Sequence, residues 1–393
     1  PVGTTCYVWN HQGDELEEET LETLKSAPFN KMRMCVFPKR YVFNKNEPPY
    51  YPFEGEVKKE WDESLLDNYK TQSPPDFWDF TRFNPAYFRH LEQRILDLQE
   101  LGIEADLILF HPYDFGAWGF DRMPAEVNDR YLRYLVARVA AFRNLWWSFA
   151  NEYDLMLDRT LADWDHYFTL VQECDPYSHL RSNHNCRGFY DHGKPWVTHC
   201  SIQRGDLAKV PEWMQQYHKP VVVDECGYEG DISRVWGSLS AEEMVSRFWL
   251  GFASGGYVGH GETYWNEEEV LWWSKGGELH GESAVRIAFL REIIEHVPGY
   301  GLSIMVESPL AVIPDGNWNM IAAGHQSTNY YLLYCRMHQK PKREFCLPEG
   351  SFRIDIIDTW NMTIETIEEK ASGEVRIELP RKKYLAVRIE RPA

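Results

Sequence analysis

Short apolar runs alternate along this chain with stretches in which apolar residues recur at helical spacing. Eight such runs predict β-strands, and between them apolar residues return every three or four positions, the period of an amphipathic helix. The predicted strands cover residues 4–9, 29–37, 105–110, 145–150, 180–184, 197–203, 219–225 and 256–264. Eight strand–helix units predict an α/β fold, a (β/α)8 TIM barrel.

The pattern changes after residue 297. Residues 301–393 contain short runs in which apolar and polar residues alternate, with turns between them and no helical period. This alternation is typical of antiparallel strands with one face against a core. We therefore predict two domains, a barrel over residues 1–297 and a small antiparallel β-sandwich over residues 298–393, which we expect to brace the barrel.

Residues 38–80 are rich in Pro, Tyr, Trp and Asn. This segment is too long for a simple connection between a strand and a helix. We predict a functional loop that forms one wall of a cleft.

Two of the predicted strands end in a glutamate. The fourth strand continues into Asn151 and Glu152, and the seventh ends on Asp224 and Glu225. The carboxyl ends of the strands in a parallel barrel open onto one face, where the active site lies. We therefore expect Glu152 and Glu225 to face each other, as acid-assisted cleavage of a glycosidic bond requires.

Over about residues 1–297 the chain resembles the clan A, cellulase-like glycoside hydrolases. The motifs that carry this resemblance lie at strand ends, and they are the F-N-x-x-R-like run at 29–33, His111, the Asn151–Glu152 pair, the E-x-G run at 225–227 and Trp265. A narrower resemblance, through residues 3–7 and 358–363, is to the apiosidase-like bacterial glycosidases. That subgroup often has an N-terminal β-sandwich, so we expect that the natural chain starts earlier.

The resemblance implies a retaining hydrolase that acts on O-glycosidic bonds of plant-type oligo- or polysaccharides. Glu225 is expected to be the ionised nucleophile, with its pKa kept low by Arg33 beneath it. Glu152 is expected to donate a proton to the leaving oxygen and then to act as base toward water. Asn151 is placed to bind the sugar hydroxyl next to the reacting carbon.

Strand six departs from the family pattern. Many clan members have H-x-Y there, with the Tyr on the nucleophile, whereas His199 is followed by Cys200 and Ser201. We expect Gln203 to take the place of that Tyr.

The substrate-binding candidates are Asn151, Arg33, His111, Trp9, His184, Gln203, Tyr228, Glu262 and Trp265. Among them the aromatic side chains are candidates for stacking on sugar rings, together with Trp272 and Trp273.

Composition narrows the choice of partners. The net charge of −19 argues against nucleic-acid binding, which requires a basic face, and no run of apolar residues is long enough to cross a membrane. Aromatic residues make up 15% of the chain, which suits a carbohydrate substrate. The eight cysteines form no C-x-x-C pair. We expect free thiols and a cytoplasmic location, and the oligomeric state stays open.

Three alternatives remain. The 14 histidines suggest a metal-dependent barrel hydrolase, but the first strand lacks the H-x-H of that class and no H-E-x-x-H occurs, so we expect no metal and no cofactor. A non-catalytic carbohydrate-binding protein on the same scaffold should have lost one of the two glutamates. An inverting glycosidase would have its carboxyl groups roughly 6.5–9.5 Å apart.

Overall fold

Eight parallel strands form a nearly closed barrel in the computed structural model. The structure describes residues 1–58, 73–298, 302–304, 320–325, 330–337 and 341–392. The barrel strands are β1 (Val2–Thr5), β2 (Lys31–Cys35), β3 (Glu104–Phe110), β4 (Leu145–Ala150), β5 (Leu180–Ser182), β6 (Cys200–Gln203), β7 (Val221–Glu225) and β8 (Tyr257–His260). Their order in the sheet is β5-β4-β3-β2-β1-β8-β7-β6, and a bridge between His184 and Ser201 brings β5 to β6. The predicted barrel is confirmed.

Helices alternate with these strands. They are α1 (Asp14–Ser26), α2 (Pro85–Glu100), α3 (Ala125–Val139), α4 (Leu161–Cys174), α5 (Val210–Tyr217), α6 (Ala241–Ala253) and α7 (Ser283–Glu295). Local sequence explains their bounds. Asn84 caps α2 by accepting a hydrogen bond from the Ala86 N–H, and Gly102 follows its end with a φ of +74°. Among the described residues no helix has the length and apolar character needed to cross a membrane.

Six of the eight barrel strands are shorter than predicted, and β1 and β8 lose the most at their carboxyl ends. β1 ends at Thr5, since the N–H groups of Tyr7 and Val8 donate to Trp273 and Ser274 and thereby lead the chain away from the sheet. β8 ends at His260. The residues after it, Glu262–Thr263, pair instead with Glu229–Gly230 from the loop that follows β7.

The predicted wall segment, residues 38–80, is described in two parts. Phe53–Gly55 and Trp78–Phe83 form an antiparallel pair. Residues 59–72 lie outside the described residues. The first part of the segment carries Lys39 and Tyr41 to the carboxyl end of the barrel, where both line a pocket.

The C-terminal strands form antiparallel sheets, as predicted. They are β9 (Ser303–Ile304), β10 (Met320–His325), β11 (Tyr330–Cys335), β12 (Lys342–Cys346), β13 (Phe352–Asp358), β14 (Thr363–Ala371), β15 (Glu374–Glu378) and β16 (Leu385–Glu390). A six-stranded sheet, in the order β9-β10-β11-β16-β13-β14, and the β12–β15 pair share one apolar core. The domain boundary at 297/298 stays a prediction.

The C-terminal sheet packs against the barrel through α6 and α7. Tyr334 on β11 donates a hydrogen bond of 2.9 Å to Ser246 on α6, and its ring stacks on Trp249 at 5.8 Å. The Arg286 guanidinium on α7 lies 3.6 Å from the centroid of the Trp360 ring. These contacts are those expected of a domain that braces the barrel.

Candidate active site

One pocket opens at the carboxyl end of the barrel strands. It holds about 420 Å³ of empty space, counted together with its open mouth. Its lining residues come from the ends of the strands and from the loops after them, and they are Tyr7, Lys39, Tyr41, Tyr113, Asn151, Glu152, Gln203, Glu225, Tyr228, Trp236 and Trp273. Both glutamates singled out in the sequence therefore lie in the same pocket.

Glu225, the last residue of β7, is held by groups from several strands. The Tyr7 hydroxyl donates to Glu225 Oε1 and lies 3.0 Å from Asn151 Oδ1. Tyr228 donates a second hydrogen bond to the Glu225 carboxyl. The guanidinium of Arg33 is close by, with Nη1 3.6 Å from Oε1. The carboxyl is thus oriented before any substrate arrives.

Burial raises the pKa of Glu225 to about 8, and the hydrogen bond from Tyr228 offsets part of this rise. The expectation that Arg33 keeps this pKa low is therefore wrong, although Arg33 lies where the sequence predicts it. Arg33 fails to lower the pKa of Glu225 because of the other charges that surround Arg33. Lys31 Nζ lies 2.6 Å from Asp106 and 2.7 Å from Asp224, and Arg33 Nε lies 3.6 Å from Asp106. Two buried cations thus face two buried aspartates, which leaves no surplus positive charge for Glu225.

Glu152 follows β4 with a φ of +55°, a backbone conformation that is uncommon for residues other than glycine. Its side chain is buried, and burial raises the pKa of its carboxyl, whereas the Lys39 ammonium and the hydrogen bonds from Cys186 and Gln203 act in the opposite direction. A raised pKa suits a group that must carry a proton before it donates one.

Gln203 does not take the position expected of it. Its side chain hydrogen-bonds Glu152, not Glu225. The residues that orient Glu225 are Tyr7, beyond the end of β1, and Tyr228, which was predicted to stack on a sugar ring. The family pattern puts this partner on strand six, whereas here the segments after β1 and β7 supply it.

His184 lies between the two glutamates. Its Nδ1 accepts a hydrogen bond of 3.4 Å from the Glu152 N–H, and its Nε2 lies 3.8 Å from Glu225 Oε1. The ring is fully buried, and burial together with Arg33 holds its pKa well below the usual value. A neutral histidine therefore links the ends of β4 and β7 beneath the pocket.

Lys39 is a pocket residue that the sequence reasoning missed. Its ammonium lies 4.2 Å from the centroid of the Tyr7 ring, 4.3 Å from that of Tyr113 and 4.7 Å from that of Trp273. Tyr41 adds a fourth ring at 5.1 Å. Burial lowers the pKa of Lys39 to about 8, while Cys35 and Glu152 oppose that shift. This aromatic cage holds the cation by its ring faces.

Six of the nine predicted substrate-binding residues do not line the pocket. Arg33 and His184 lie beneath it against Glu225, and the other four have different surroundings. Trp9 is 0% exposed and packs in the main core, so its ring has no face free for a sugar. His111 uses both ring nitrogens on backbone groups, because Nε2 donates to the Phe37 carbonyl and Nδ1 accepts from the Tyr113 N–H.

The other two lie farther along the chain. Glu262 is buried against the segment before α7, where it accepts hydrogen bonds from the His280 and Gly281 N–H groups, and burial raises its pKa to about 7. Trp265 is 54% exposed, and its backbone N–H donates to Asp231, which is not a lining residue of the pocket. Trp273 lines the pocket, whereas Trp272 is buried and bonds Thr4.

Five residues that line the pocket are not among the site residues predicted from the sequence. They are Tyr7, Lys39, Tyr41, Tyr113 and Trp236. A usable signal existed for two of them. Tyr7 lies two residues past the end of β1 and Tyr113 three past the end of β3, positions that face the active site in a parallel barrel.

Comparisons with known proteins agree with this geometry. Residues 37–300 match a family model described as an apiosidase-like catalytic domain, and residues 318–390 match a domain of unknown function (DUF5605). The crystal structure of a "putative glycoside hydrolase" from Bacteroides vulgatus is 40% identical, with a TM-score of 0.86, and the match covers 99% of this chain and 78% of that one. No curated protein sequence matches.

More distant structures share the fold. A glycoside hydrolase of family 5 from Bacteroides vulgatus is 14% identical with a TM-score of 0.70, and the match covers 99% of this chain and 88% of that one. A GH30 endoxylanase from Clostridium papyrosolvens is 11% identical with a TM-score of 0.54, and the match covers 100% and 96% of the two chains. At such low identity the likeness shows the fold alone.

Proposed function

This chain belongs to the apiosidase-like family of glycoside hydrolases, and we propose that it cleaves O-glycosidic bonds of plant-type oligo- or polysaccharides with retention of configuration. The observation that carries the proposal is the shared pocket of Glu152 and Glu225, which stand at the ends of β4 and β7. His184 contacts the backbone N–H of Glu152 and the carboxyl of Glu225, and so holds the two strand ends together. A retaining mechanism requires carboxyl groups roughly 5 Å apart, so that one attacks the sugar directly.

In the proposed mechanism Glu225 attacks the anomeric carbon while Glu152 gives its proton to the leaving oxygen. The product of this step is a covalent glycosyl-enzyme. A water molecule then attacks the glycosyl-enzyme while Glu152 takes a proton from that water. Tyr7 and Tyr228 keep the Glu225 oxygens aligned for attack. Asn151 Oδ1 accepts from Arg33 at 3.3 Å, which supports a role for its side-chain amide in binding the adjacent hydroxyl.

The charges around the pocket are consistent with one proton on the pair of glutamates. Three cationic groups and four carboxyl groups lie in or directly beneath it, and they are Lys31, Arg33, Lys39, Asp106, Asp224, Glu152 and Glu225. One bound proton makes this set neutral. A retaining glycosidase needs one proton on the glutamate pair, because one carboxyl is the acid and the other the nucleophile.

The test combines stereochemistry with two isosteric variants. We expect proton NMR of a reaction on plant cell-wall oligosaccharides to show a first product with the anomeric configuration of the substrate. Glu225→Gln and Glu152→Gln should each lower kcat/KM by at least about 10³-fold, whereas Glu92→Gln, on the surface of α2, should leave it unchanged. A first product of opposite configuration contradicts retention, and an active Glu225→Gln variant contradicts the assigned nucleophile.

We also propose a reducing, cytoplasmic setting. All eight cysteines are free, and five of them are buried. Free thiols in this number favour a compartment in which disulfides do not form.

A further inference from the structure

A second cluster of chemically active side chains lies outside the pocket. Glu229, His260 and Glu262 are each no more than 1% exposed, and one possible ligand atom from each lies within 4.8 Å of the other two. Two backbone features bring them together. Glu229 and Glu262 are paired residues of the short parallel bridge, and His260 is the last residue of β8.

His260 presents a nitrogen without a partner. Its Nδ1 lies 3.3 Å from the Thr4 hydroxyl oxygen, which also accepts a hydrogen bond of 2.9 Å from Trp272 Nε1. The ring stacks on Phe29 with 4.8 Å between centroids. These contacts fix the ring, and its Nε2 is buried without a hydrogen bond to any residue that the structure describes. A buried nitrogen left without a partner costs free energy unless something binds it.

Among the described residues, the two carboxylates of the cluster have no cationic partner. Glu229 accepts hydrogen bonds from the Glu282 N–H at 2.8 Å, the Ser283 N–H at 3.2 Å and the Tyr264 hydroxyl at 3.0 Å. Glu262 accepts from the segment just before α7. These bonds hold the carboxylates in place but do not neutralise them, and no Lys or Arg among the described residues forms an ion pair with either.

We propose that Glu229, His260 and Glu262 bind one divalent cation. The cation would neutralise two buried carboxylates and occupy the free nitrogen of His260. A mixed set of imidazole and carboxylate ligands suits Zn²⁺ or Mn²⁺, whereas Ca²⁺ prefers oxygen ligands alone. Thr4 acts as the outer partner that orients the imidazole.

The consequence for the enzyme is structural. Glu229 directly follows Tyr228, which donates to Glu225. A cation at the cluster would tie the loop after β7 to the end of β8 and to the start of α7. It would therefore stabilise the fold and hold Tyr228 in place, without contact to the reacting atoms.

The experiment uses the full chain, stripped with EDTA and then titrated with ZnCl2, MnCl2 or CaCl2. We expect Zn²⁺ or Mn²⁺ to raise Tm by roughly 3–5 °C at 100 times Kd, and Ca²⁺ to raise it less. Metal analysis of protein purified without chelator should find one equivalent. Both readouts are independent of glycosidase activity, so the proposal stands or falls separately from the proposed function.

Matched variants locate the ion. Glu262→Gln keeps the shape of the side chain but removes its charge, and we expect it to abolish the metal-dependent rise in Tm. His260→Asn should lower the affinity at least tenfold. Glu282→Gln, which removes a neighbouring exposed carboxylate, should behave as wild type. An absence of bound metal together with unchanged Tm for all three ions would overturn the proposal, as would an equal rise in Tm in Glu262→Gln.

Discussion

At the scale of single residues, the pocket depends on a few buried groups whose protonation is set by their surroundings. Glu225 shows this most clearly. Arg33 is close to it but already contacts Asp106 and Asn151, so burial decides the pKa of Glu225. The carboxyl is held ready for the reaction at a cost to the stability of the folded chain.

The cost at Glu225 predicts a stability difference that depends on pH. Its pKa is about 8 in the folded chain against 4.5 ordinarily, so the folded state binds the proton more tightly and stability falls as the pH rises from about 4.5 to 8. Glu225→Gln removes this loss. We expect the variant to unfold with a free energy higher than that of wild type by at most about 5 kcal/mol at pH 8, and by far less at pH 5.

Urea unfolding at the two pH values measures this difference. Glu92→Gln, which changes an ion pair on the surface of α2, serves as the control and should show no comparable change with pH. A gap between Glu225→Gln and wild type that stays constant from pH 5 to pH 8 would contradict the raised pKa.

At the scale of elements, loops from separate parts of the chain complete the site that the strand ends begin. Lys39 follows β2, while the rings of its cage come from segments after β1, β3 and β8. The cage works only when all of these segments are in place. It brings a cation near Glu152 that no strand end supplies.

The cage predicts a shift in the pH profile of the enzyme. Lys39→Met removes a positive charge that favours the ionised form of the glutamate pair. Because the Lys39 ammonium lowers the pKa of Glu152, the proposed acid, we expect the basic limb of kcat/KM to move up by about one pH unit. Lys39→Arg keeps the charge and should leave the limb close to that of wild type. Rates measured from pH 5 to pH 9 decide the matter, and an unmoved limb in Lys39→Met would refute this role.

At the scale of the whole molecule, the C-terminal sheet has two faces with different tasks. One face shares a core with the β12–β15 pair, and the other packs on the barrel helices. The Tyr334–Ser246 hydrogen bond lies in that second contact and is buried. We infer that the stability of the barrel depends partly on the sheet.

A double-mutant cycle tests this coupling. Tyr334→Phe leaves the Ser246 hydroxyl buried without its partner, and Ser246→Ala has the converse effect on Tyr334. Each single change should lower the free energy of unfolding by about 1–2 kcal/mol, and the double variant should lose less than the sum, with a coupling of roughly 0.5–1.5 kcal/mol. Chemical denaturation of the four proteins gives these values. Additive losses would mean that the two residues do not interact in solution.

The sequence by itself determined the order of the barrel strands and the two glutamates at the ends of β4 and β7. It could do so because apolar periodicity and the last residue of a strand are local features, and because parallel strands bring their carboxyl ends to one face. It also indicated the change from barrel to antiparallel sheet.

Only the tertiary structure decided which side chains meet at that face. Trp9 and Tyr7 are close neighbours in sequence, yet one is in the core and the other bonds Glu225, because β1 leaves the sheet at Thr5. The cage around Lys39 joins residues far apart in the chain. The pKa of Glu225 depends on burial and on charges from other strands. Such properties depend on the paths of loops and on desolvation, which no short stretch of sequence contains.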